Sequence, residues 1–395
     1  MKDNNLKQIA VILGIRPDII RASQIIKLLK ADKRINTVFI WSGQHYSDNL
    51  KDIFFREFEV PKPDVELDCK GESDAQITSQ LISKLNEVFL QVHPEAAIFL
   101  GDTNTVIGCL AAAQLNIPII HIEGCMRSYD WRMPEEKNRT IIDHLSDIIY
   151  TYLKEYKEQG IKEGLNPQNI MVVGNPIVDI INTFFLGKNH NSNIDAKQLA
   201  EKGLTKNSFY LMTCHRRENV HDEKSFSAII ELASQAPYPV YFPASYRTQK
   251  IIKEMKIELP KSIIQVDPIG YKEFMLLMTN SRGIMTDSGT EVEEACILNI
   301  PSIQMRQSTE RPQVYDVGAS VKFDPMNSKK YPAIKTFEKI EKLKNRIWKH
   351  PFGDGKASVR IAEDIIKRVI NNQLNGHLPS KYHYSVSKSY REDSL

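Results

Sequence analysis

Residues 121–144 read His-Ile-Glu-Gly-Cys-Met-Arg-Ser-Tyr-Asp-Trp-Arg-Met-Pro-Glu-Glu-Lys-Asn-Arg-Thr-Ile-Ile-Asp-His. An apolar run, Ile117 to Ile122, ends in an acid, Glu123. A polar loop with Arg127 and Arg132 follows, and a helix starts at Pro134. Proline fits the first helical turn, where its missing N–H would have no partner. Glu135 and Glu136 follow, where the helix dipole favours negative charge. Glu135, Arg139 and Asp143 are spaced by four and so share a helix face. This is a strand–loop–helix unit carrying more charge than a connection needs.

The same unit recurs on both sides. Gln8 to Leu13 is a short apolar run that ends in Gly14-Ile-Arg-Pro-Asp18, with Ile19, Ile20, Ile25, Ile26 and Leu29 following at helical spacing. Thr37 to Trp41 ends in Ser42-Gly-Gln-His45, and His45 reads as a loop residue. A helix from about Ser79 to Val92 leads to Ala96 to Leu100, which ends in Gly101-Asp102. Ile148 to Thr151 and Ile170 to Val173 close this half. Strands alternating with helices imply a parallel, doubly wound sheet. Polar motifs fall at the carboxyl ends of its strands, where open α/β sheets bind ligands.

Leu186 to Lys206 is polar with little apolar periodicity and reads as a linker. A second α/β half follows. Phe209 to Thr213 ends in Cys214-His-Arg-Arg-Glu-Asn219, Val240 to Phe242 ends in Pro243, and Ile263 to Val266 is a further strand. Gly283 to Thr286 ends in Asp287-Ser-Gly-Thr290 with a helix opening at Glu291, and Pro301 to Met305 ends in Arg306. Ala357 to Asn371 is a closing helix. The fold class is therefore α/β, with two doubly wound Rossmann-like domains facing across a cleft. The expected division is 1–185, a linker at 186–206, 207–356, a returning helix at 357–375 and a tail at 376–395.

Composition excludes several classes. The chain has 395 residues, 42% hydrophobic and 26% charged, with a net charge of +3. That balance argues for no nucleic-acid partner and no membrane partner. An anionic ligand must be bound by local arginines. Five scattered cysteines form no C-x-x-C pair, which fits a reducing cytoplasm. Cys125 and Cys214 read as small, half-buried residues. The polar start, Met1 to Lys7, reads as lacking a signal peptide. No metal site has evident spacing: His121 and Glu123 project together from a strand but lack a third ligand. No cofactor fingerprint is present, since Gly14 to Asp18 lacks the glycines of a dinucleotide site.

The candidate residues each allow two readings. Asp287-Ser288-Gly289-Thr290 fits a helix N-cap, or a phosphate site at free backbone N–H groups. Glu291, Glu293 and Glu294 would repel phosphate there, unless one of them accepts from a ribose diol. His215 with Arg216 and Arg217 fits a diphosphate clamp, or a solvated basic loop with Glu218 pairing one arginine. Asp102 fits a capping aspartate. Yet Asp102, Glu123 and Glu135 stand near successive strand ends, and clustered carboxylates shift one another's pKa values in a way that suits acid–base work. On that reading Arg139 is the partner of Glu123 and Glu135. Arg16 is a plausible anion ligand.

Taken together, the motifs resemble those of the non-hydrolysing UDP-N-acetylglucosamine 2-epimerase family. The resemblance runs from about Gln8 to Asn371. It rests on Gly14-Ile-Arg-Pro-Asp18, Ser42-Gly-Gln-His45, Gly101-Asp-Thr103, His121-Ile-Glu123, Pro134-Glu-Glu-Lys-Asn-Arg139, Asp143-His144, His215-Arg-Arg-Glu-Asn219, Asp287-Ser-Gly289, Glu293-Glu-Ala295, Thr309-Glu-Arg-Pro312 and Gly353-Asp-Gly-Lys-Ala357. It implies a GT-B-like fold, an isomerase, a UDP-sugar substrate, no cofactor and a homodimer. It implies elimination of UDP across C1–C2 to a 2-acetamidoglucal and re-addition, in surface-polysaccharide synthesis. By resemblance Asp102, Glu123, Glu135 and His215 are catalytic. Arg16, Arg139, Arg217, Ser288, Gly289, Thr290 and Glu294 bind substrate.

Several positions depart from the family pattern. Ile15, Asp18, Arg21, Gly124-Cys125, Cys214 and Thr290 replace the usual residues. Ser245 stands where many bacterial members have an activator-binding histidine. The loop from Gly124 to Met133 is the least family-typical part and resembles relatives acting on other UDP-2-acetamido sugars. The alternatives at this point are a hydrolysing epimerase releasing UDP and free sugar, and a glycosyltransferase of the same fold or a non-catalytic nucleotide-sugar binder.

Overall fold

The computed structural model describes residues 6–43, 55–71, 73–186 and 192–374, with Arg16 and residues 192–195 described by backbone alone. His45 and the tail from 376 lie outside the described residues. The chain folds around two all-parallel sheets. The first contains β1 (Lys7–Leu13), β2 (Ile35–Trp41), β3 (Val65–Glu66), β4 (Ala96–Leu100), β5 (Ile119–Ile122), β6 (Ile148–Thr151) and β7 (Ile170–Val172). Its order is β3-β2-β1-β4-β5-β6-β7. The second contains β8 (Tyr210–Thr213), β9 (Val240–Pro243), β10 (Ile263–Val266), β11 (Ile284–Thr286), β12 (Ser302–Met305) and β13 (Ser320–Phe323), in the order β10-β9-β8-β11-β12-β13.

In each sheet the strand order reverses once. β1 pairs with both β2 and β4, with Val11 opposite Phe39 and Ile98. β8 pairs with both β9 and β11, with Leu211 opposite Tyr241 and Ile284. Connections leaving on opposite faces open a crevice at the carboxyl end of each reversal. The chain there is Gly14 and Gly101-Asp102 in the first sheet, and His215 and Asp287-Ser288 in the second. Central strands are mostly apolar because helices cover both faces, as in β4, where all of Ala96–Leu100 is buried.

Two edge strands, β3 and β13, were not expected from sequence. The helix expected at about Ser79 starts at Asp74, five residues earlier, because Ser73 caps it. Ser73 Oγ accepts from Gln76 N, and Gln76 Oε1 accepts from Ser73 N. The polar stretch 186–206 contains the helix Ser192–Glu201, anchored through buried Leu199 and Leu204.

The last helix, Ala357–Ile370, returns to the first sheet's layer. Asp179 accepts from Ala357 N (3.2 Å) and Ser358 N (3.0 Å), satisfying two helix-start donors. Tyr150 donates to Asp364 (2.8 Å), and Ile361, Ile365 and Val369 form the buried stripe. Among the described residues no helix is long and apolar enough to cross a membrane. The five cysteines are free and buried. Cys125 and Cys214 are fully rather than half buried. Cys125 finds room over Gly160, where a Cβ would stand 2.6 Å from its Sγ.

Candidate active site

The first motif aims an arginine. Gly14 ends β1 where no side chain fits: a Cβ would lie 1.8 Å from Thr105 Oγ1. Asp18, in the first turn of the helix Arg16–Ala31, folds back to accept from Gly14 N (3.4 Å) and Ile15 N (3.3 Å). Burial pushes the Asp18 carboxyl up to about 6, opposed by Arg21 and the two backbone donors. Arg21 Nη2 reaches Asp18 at 3.0 Å, and its Nη1 bonds Glu123.

The ends of β4 and β5 supply two carboxylates. Asp102 Oδ2 accepts from Arg139 Nη2 at 2.6 Å. Glu123 is 1% exposed and has a left-handed backbone, with φ +78°. Besides Arg21, it receives Arg139 Nη2 (3.1 Å), Arg311 Nη2 (3.4 Å) and Tyr152 Oη (2.9 Å). Low dielectric strengthens such charge-assisted bonds and makes any unpaired member costly.

Glu135 enters from the first turn of the helix Pro134–Leu145. Its Oε1 lies 3.5 Å from Arg216 Nη1 of the second half. Burial raises the Glu135 carboxyl above its ordinary value; Arg216 opposes this and nearby Asp102 adds to it. The expected pairing of Arg139 with Glu135 does not form. The four-residue spacing puts the two on one face, but Arg139 spans Asp102 and Glu123 instead. Asp143, next on that face, turns to His121 (2.7 Å) and Arg127 (2.7 Å). Glu136 is also structural: it accepts from Ser128 N (2.9 Å) and Tyr129 N (3.0 Å), holding the loop before the helix.

Across the cleft, Asp287 at the end of β11 shapes the facing loop. It accepts from His215 N (3.1 Å), Arg216 N (2.9 Å) and Asn219 Nδ2 (3.1 Å). His215 Nδ1 stands 3.4 Å from Asp287 Oδ1. Ser288 caps the helix Gly289–Ile297 by accepting from Glu291 N. The three acids of that helix are each engaged by a neighbouring side chain. Glu291 takes the hydroxyls of Thr213 and Thr286, Glu293 pairs with Arg311 (2.9 Å), and Glu294 accepts from Tyr271 Oη (2.6 Å). Arg217 pairs with Asp74 (2.9 Å) rather than with Glu218.

These groups border a cleft of about 490 Å³ between the two sheets. Asp102, Glu123, Glu135, His215, Arg217, Ser288, Gly289 and Thr290 all line it. Two expected ligands do not. Arg139 is 1% exposed and pairs with Asp102 and Glu123. Glu294 is buried under Tyr271, because its position on the helix points it away from the cleft. The Arg16 side chain lies outside the described residues. Among the described residues, no group of three or more His, Cys, Asp or Glu side chains stands ready to hold a metal ion.

Residues 27–366, most of both halves, match the family model for UDP-N-acetylglucosamine 2-epimerase. The chain belongs to that family. The Methanocaldococcus jannaschii UDP-N-acetylglucosamine 2-epimerase is 36% identical over 365 residues, covering 90% of this chain and 97% of that protein. The Pseudomonas aeruginosa UDP-2,3-diacetamido-2,3-dideoxy-D-glucuronate 2-epimerase is 32% identical, covering 91% and 99%. A crystal structure of the M. jannaschii UDP-GlcNAc 2-epimerase in complex with UDP-GlcNAc and UDP aligns with a TM-score of 0.82 at 34% identity, covering 91% and 99%. The fold is that of GT-B-like UDP-GlcNAc 2-epimerases.

Several members of this epimerase's site escaped sequence reasoning. Arg216 reads from sequence only as one of a basic pair; its place between Glu135 and Glu310 (3.5 and 3.8 Å) does not. Glu310 and Arg311 follow β12 and line the cleft too. Burial would raise the Glu310 carboxyl, but Arg306, Arg311, Arg216 and Arg139 together hold it well below the usual range. Their place just past a strand end was a usable signal. Tyr152, one residue past β6, gave none, since a lone tyrosine there reads as core.

Proposed function

We propose that this chain inverts C2 of a UDP-2-acetamido sugar without hydrolysing it. The observation that carries this reading is the opposition of two charge patterns across one cleft. Asp102, Glu123 and Glu135 come from the first sheet's side. His215, Arg216 and the helix start at Ser288–Thr290 come from the second.

The chemistry follows from that opposition. C2–H is weakly acidic, so a positioned carboxylate must take the proton while the C1–O bond to the diphosphate breaks. The bonding electrons leave with UDP, and C1 and C2 become doubly bonded. Negative charge then grows on the diphosphate, where His215, Arg216, Arg217 and the helix-start N–H groups stabilise it without reorganisation. Re-addition delivers a proton to the opposite face of C2 and restores the C1–O bond. Two groups on two faces of the sugar are required. Glu135, whose carboxyl burial raises above its ordinary value, is the proton donor of one direction, and Asp102 is its counterpart. Glu123, fixed by three guanidinium groups and a phenol, is the most rigid of the three. The enclosed cleft keeps UDP beside the glycal. In this reading residues 1–185 form the sugar-side unit and 207–356 the nucleotide unit, joined through 186–206. The active form is a homodimer.

The test is NMR of UDP-N-acetylglucosamine, its 6-deoxy relatives and its diacetamido-uronate relative in deuterated water. Expected is deuterium at C2 and a 2-epimer product from at least one of them. Asp102→Asn and Glu135→Gln lower that rate about 100-fold or more, the range of a lost acid–base group, with UDP binding kept. No exchange at C2 on any substrate sinks the reaction class, and stoichiometric free UDP would make the chain a hydrolase instead.

A further inference from the structure

His121 and Asp143 lie outside the cleft and take no part in the chemistry above. His121 belongs to β5 and Asp143 to the helix Pro134–Leu145, and both side chains are 0% exposed. The ring Nε2 stands 2.8 Å from the Gly101 carbonyl oxygen, which only accepts, so Nε2 carries a proton. Nδ1 stands 2.7 Å from Asp143 Oδ1. Asp143 Oδ2 accepts in addition from Cys125 N (2.9 Å) and Arg127 Nη1 (2.7 Å). With the Arg127 guanidinium and the Cys125 amide both donating to Oδ2, this carboxylate is charge-paired and accepts at both oxygens, so Nδ1 donates to Oδ1 and carries a proton as well. A neutral ring would set one nitrogen lone pair against an oxygen lone pair in a place without access to solvent.

The partners of this ring bracket the two cleft carboxylates. Gly101 immediately precedes Asp102, and Cys125 comes two residues after Glu123. Glu123 and Cys125 both hold left-handed backbone, at φ +78° and +64°, and Gly101 does so at +82°. Non-glycine residues in that region cost on the order of 1–3 kcal/mol each and persist only where surrounding contacts hold them. Gly124 lets those contacts close: a Cβ there would lie 2.7 Å from Asp143 Oδ1 and 3.1 Å from His121 Nδ1. The helix carrying Asp143 also carries Glu135.

We propose that His121 and Asp143 form a buried imidazolium–carboxylate pair that positions Asp102 and Glu123, by clamping both strand-end turns to the helix Pro134–Leu145. They are positioning residues and touch no substrate. The inference rests on the reading of Asp102 and Glu123 as acid–base groups. A histidine that merely fills the core would affect stability alone.

Two measurements separate these cases. The first is 15N NMR of the histidine rings in the wild-type protein at neutral pH. Both nitrogens of His121 protonated is the expected result; a neutral tautomer overturns the proposal, and this needs no variant to fold. The second compares wild type with His121→Asn, Asp143→Asn and the double variant, using C2 deuterium exchange of UDP-N-acetylglucosamine and calorimetric UDP binding. Each single variant lowers kcat about 100-fold, the scale of an ångström-level misplacement, with KM and the Kd for UDP little changed. The double variant is no worse than either single, because the two act as one unit. Unchanged kcat with a lowered Tm overturns the proposal. Absent exchange in wild type would instead strike the underlying function, leaving the ring charge as an independent readout.

Discussion

Arg311 ties the two halves together through buried ion pairs. Its guanidinium faces Glu123 of the first half (3.4 Å) and Glu293 of the second (2.9 Å), and it contacts Glu310 directly. Arg311→Met keeps most of the apolar stem and removes the charge. Glu310 retains Arg306 (3.0 Å), and Glu123 retains Arg21, Arg139 and Tyr152. Glu293 loses its ion-pair partner. Burial already raises the Glu293 carboxyl, and Arg311 is the first group opposing that rise.

Removing one member of a buried pair costs about 3–5 kcal/mol. A second route bounds the same loss. Glu293 can take up a proton instead, and neutralising a carboxyl of unfolded pKa about 4.3 at neutral pH costs roughly 3–4 kcal/mol. The two routes converge on a deficit of about 3 kcal/mol. Its pH dependence has a fixed sign. With Arg311 gone, the folded pKa of Glu293 rises further above the unfolded one. Such a group contributes stability that is complete below the unfolded pKa and is lost as pH rises through the folded pKa. The deficit against wild type is therefore largest near neutrality and closes on acidification. Adding Glu293→Gln recovers much of it, because the orphaned charge is gone. Urea unfolding at stepped pH, followed by far-UV circular dichroism, reads all three effects. A deficit that ignores pH, or a double variant as unstable as Arg311→Met, would refute the assignment of the loss to Glu293.

Three further changes test neighbouring claims. Gly14→Ala places a Cβ 1.8 Å from Thr105 Oγ1 and 2.5 Å from Ser42 Oγ, so overpacking costs about 1–3 kcal/mol in thermal unfolding, partly restored by Thr105→Ala. Tyr152→Phe removes one donor (2.9 Å) to Glu123; a bond to a charged group is worth about 1.5–3 kcal/mol, so kcat for C2 exchange falls about tenfold or more while UDP affinity holds. The Glu294 carboxyl is pushed up to about 8 by burial. Its contribution is thus complete below the unfolded pKa and is lost progressively as pH rises to about 8; Glu294→Gln removes that slope from the stability profile, and an unchanged slope would contradict it.

Much of the fold was legible because strand ends carry polar motifs and strand interiors are mostly apolar. Ala96–Leu100 and Ile148–Thr151 match their expected bounds. The misses have physical causes. Val65–Glu66 is too short for periodicity, and Ser320–Phe323 is an edge strand whose polar and apolar residues alternate. The early start of the helix Asp74–Val92 was written in its cap, Ser73 with Gln76, rather than in its apolar stripe. Of the described side chains of Ser192–Glu201, Leu199 alone is buried, which leaves no stripe for periodicity to show.

Within the site, residue identity was more legible than partnership. Asp102, Glu123 and Glu135 follow from the strand-end rule, but which cation meets which acid depends on side-chain direction. Helical side chains lean toward the helix N-terminus. Arg21, five residues into its helix, therefore reaches back to Asp18 and Glu123, a contact that proximity in sequence would assign to Arg16. The same lean carries Arg139 past Glu135 to the carboxylates behind it. A core of this size needs none of these buried charges to fold, and apolar replacements of buried ion pairs are often neutral or stabilising. Arg21, Arg139 and Arg311 converge on a single carboxylate, Glu123, instead. That arrangement holds one carboxylate rigid in the wall of a cleft. It makes physical sense where the geometry of a proton transfer, rather than the fold, is what the charges serve.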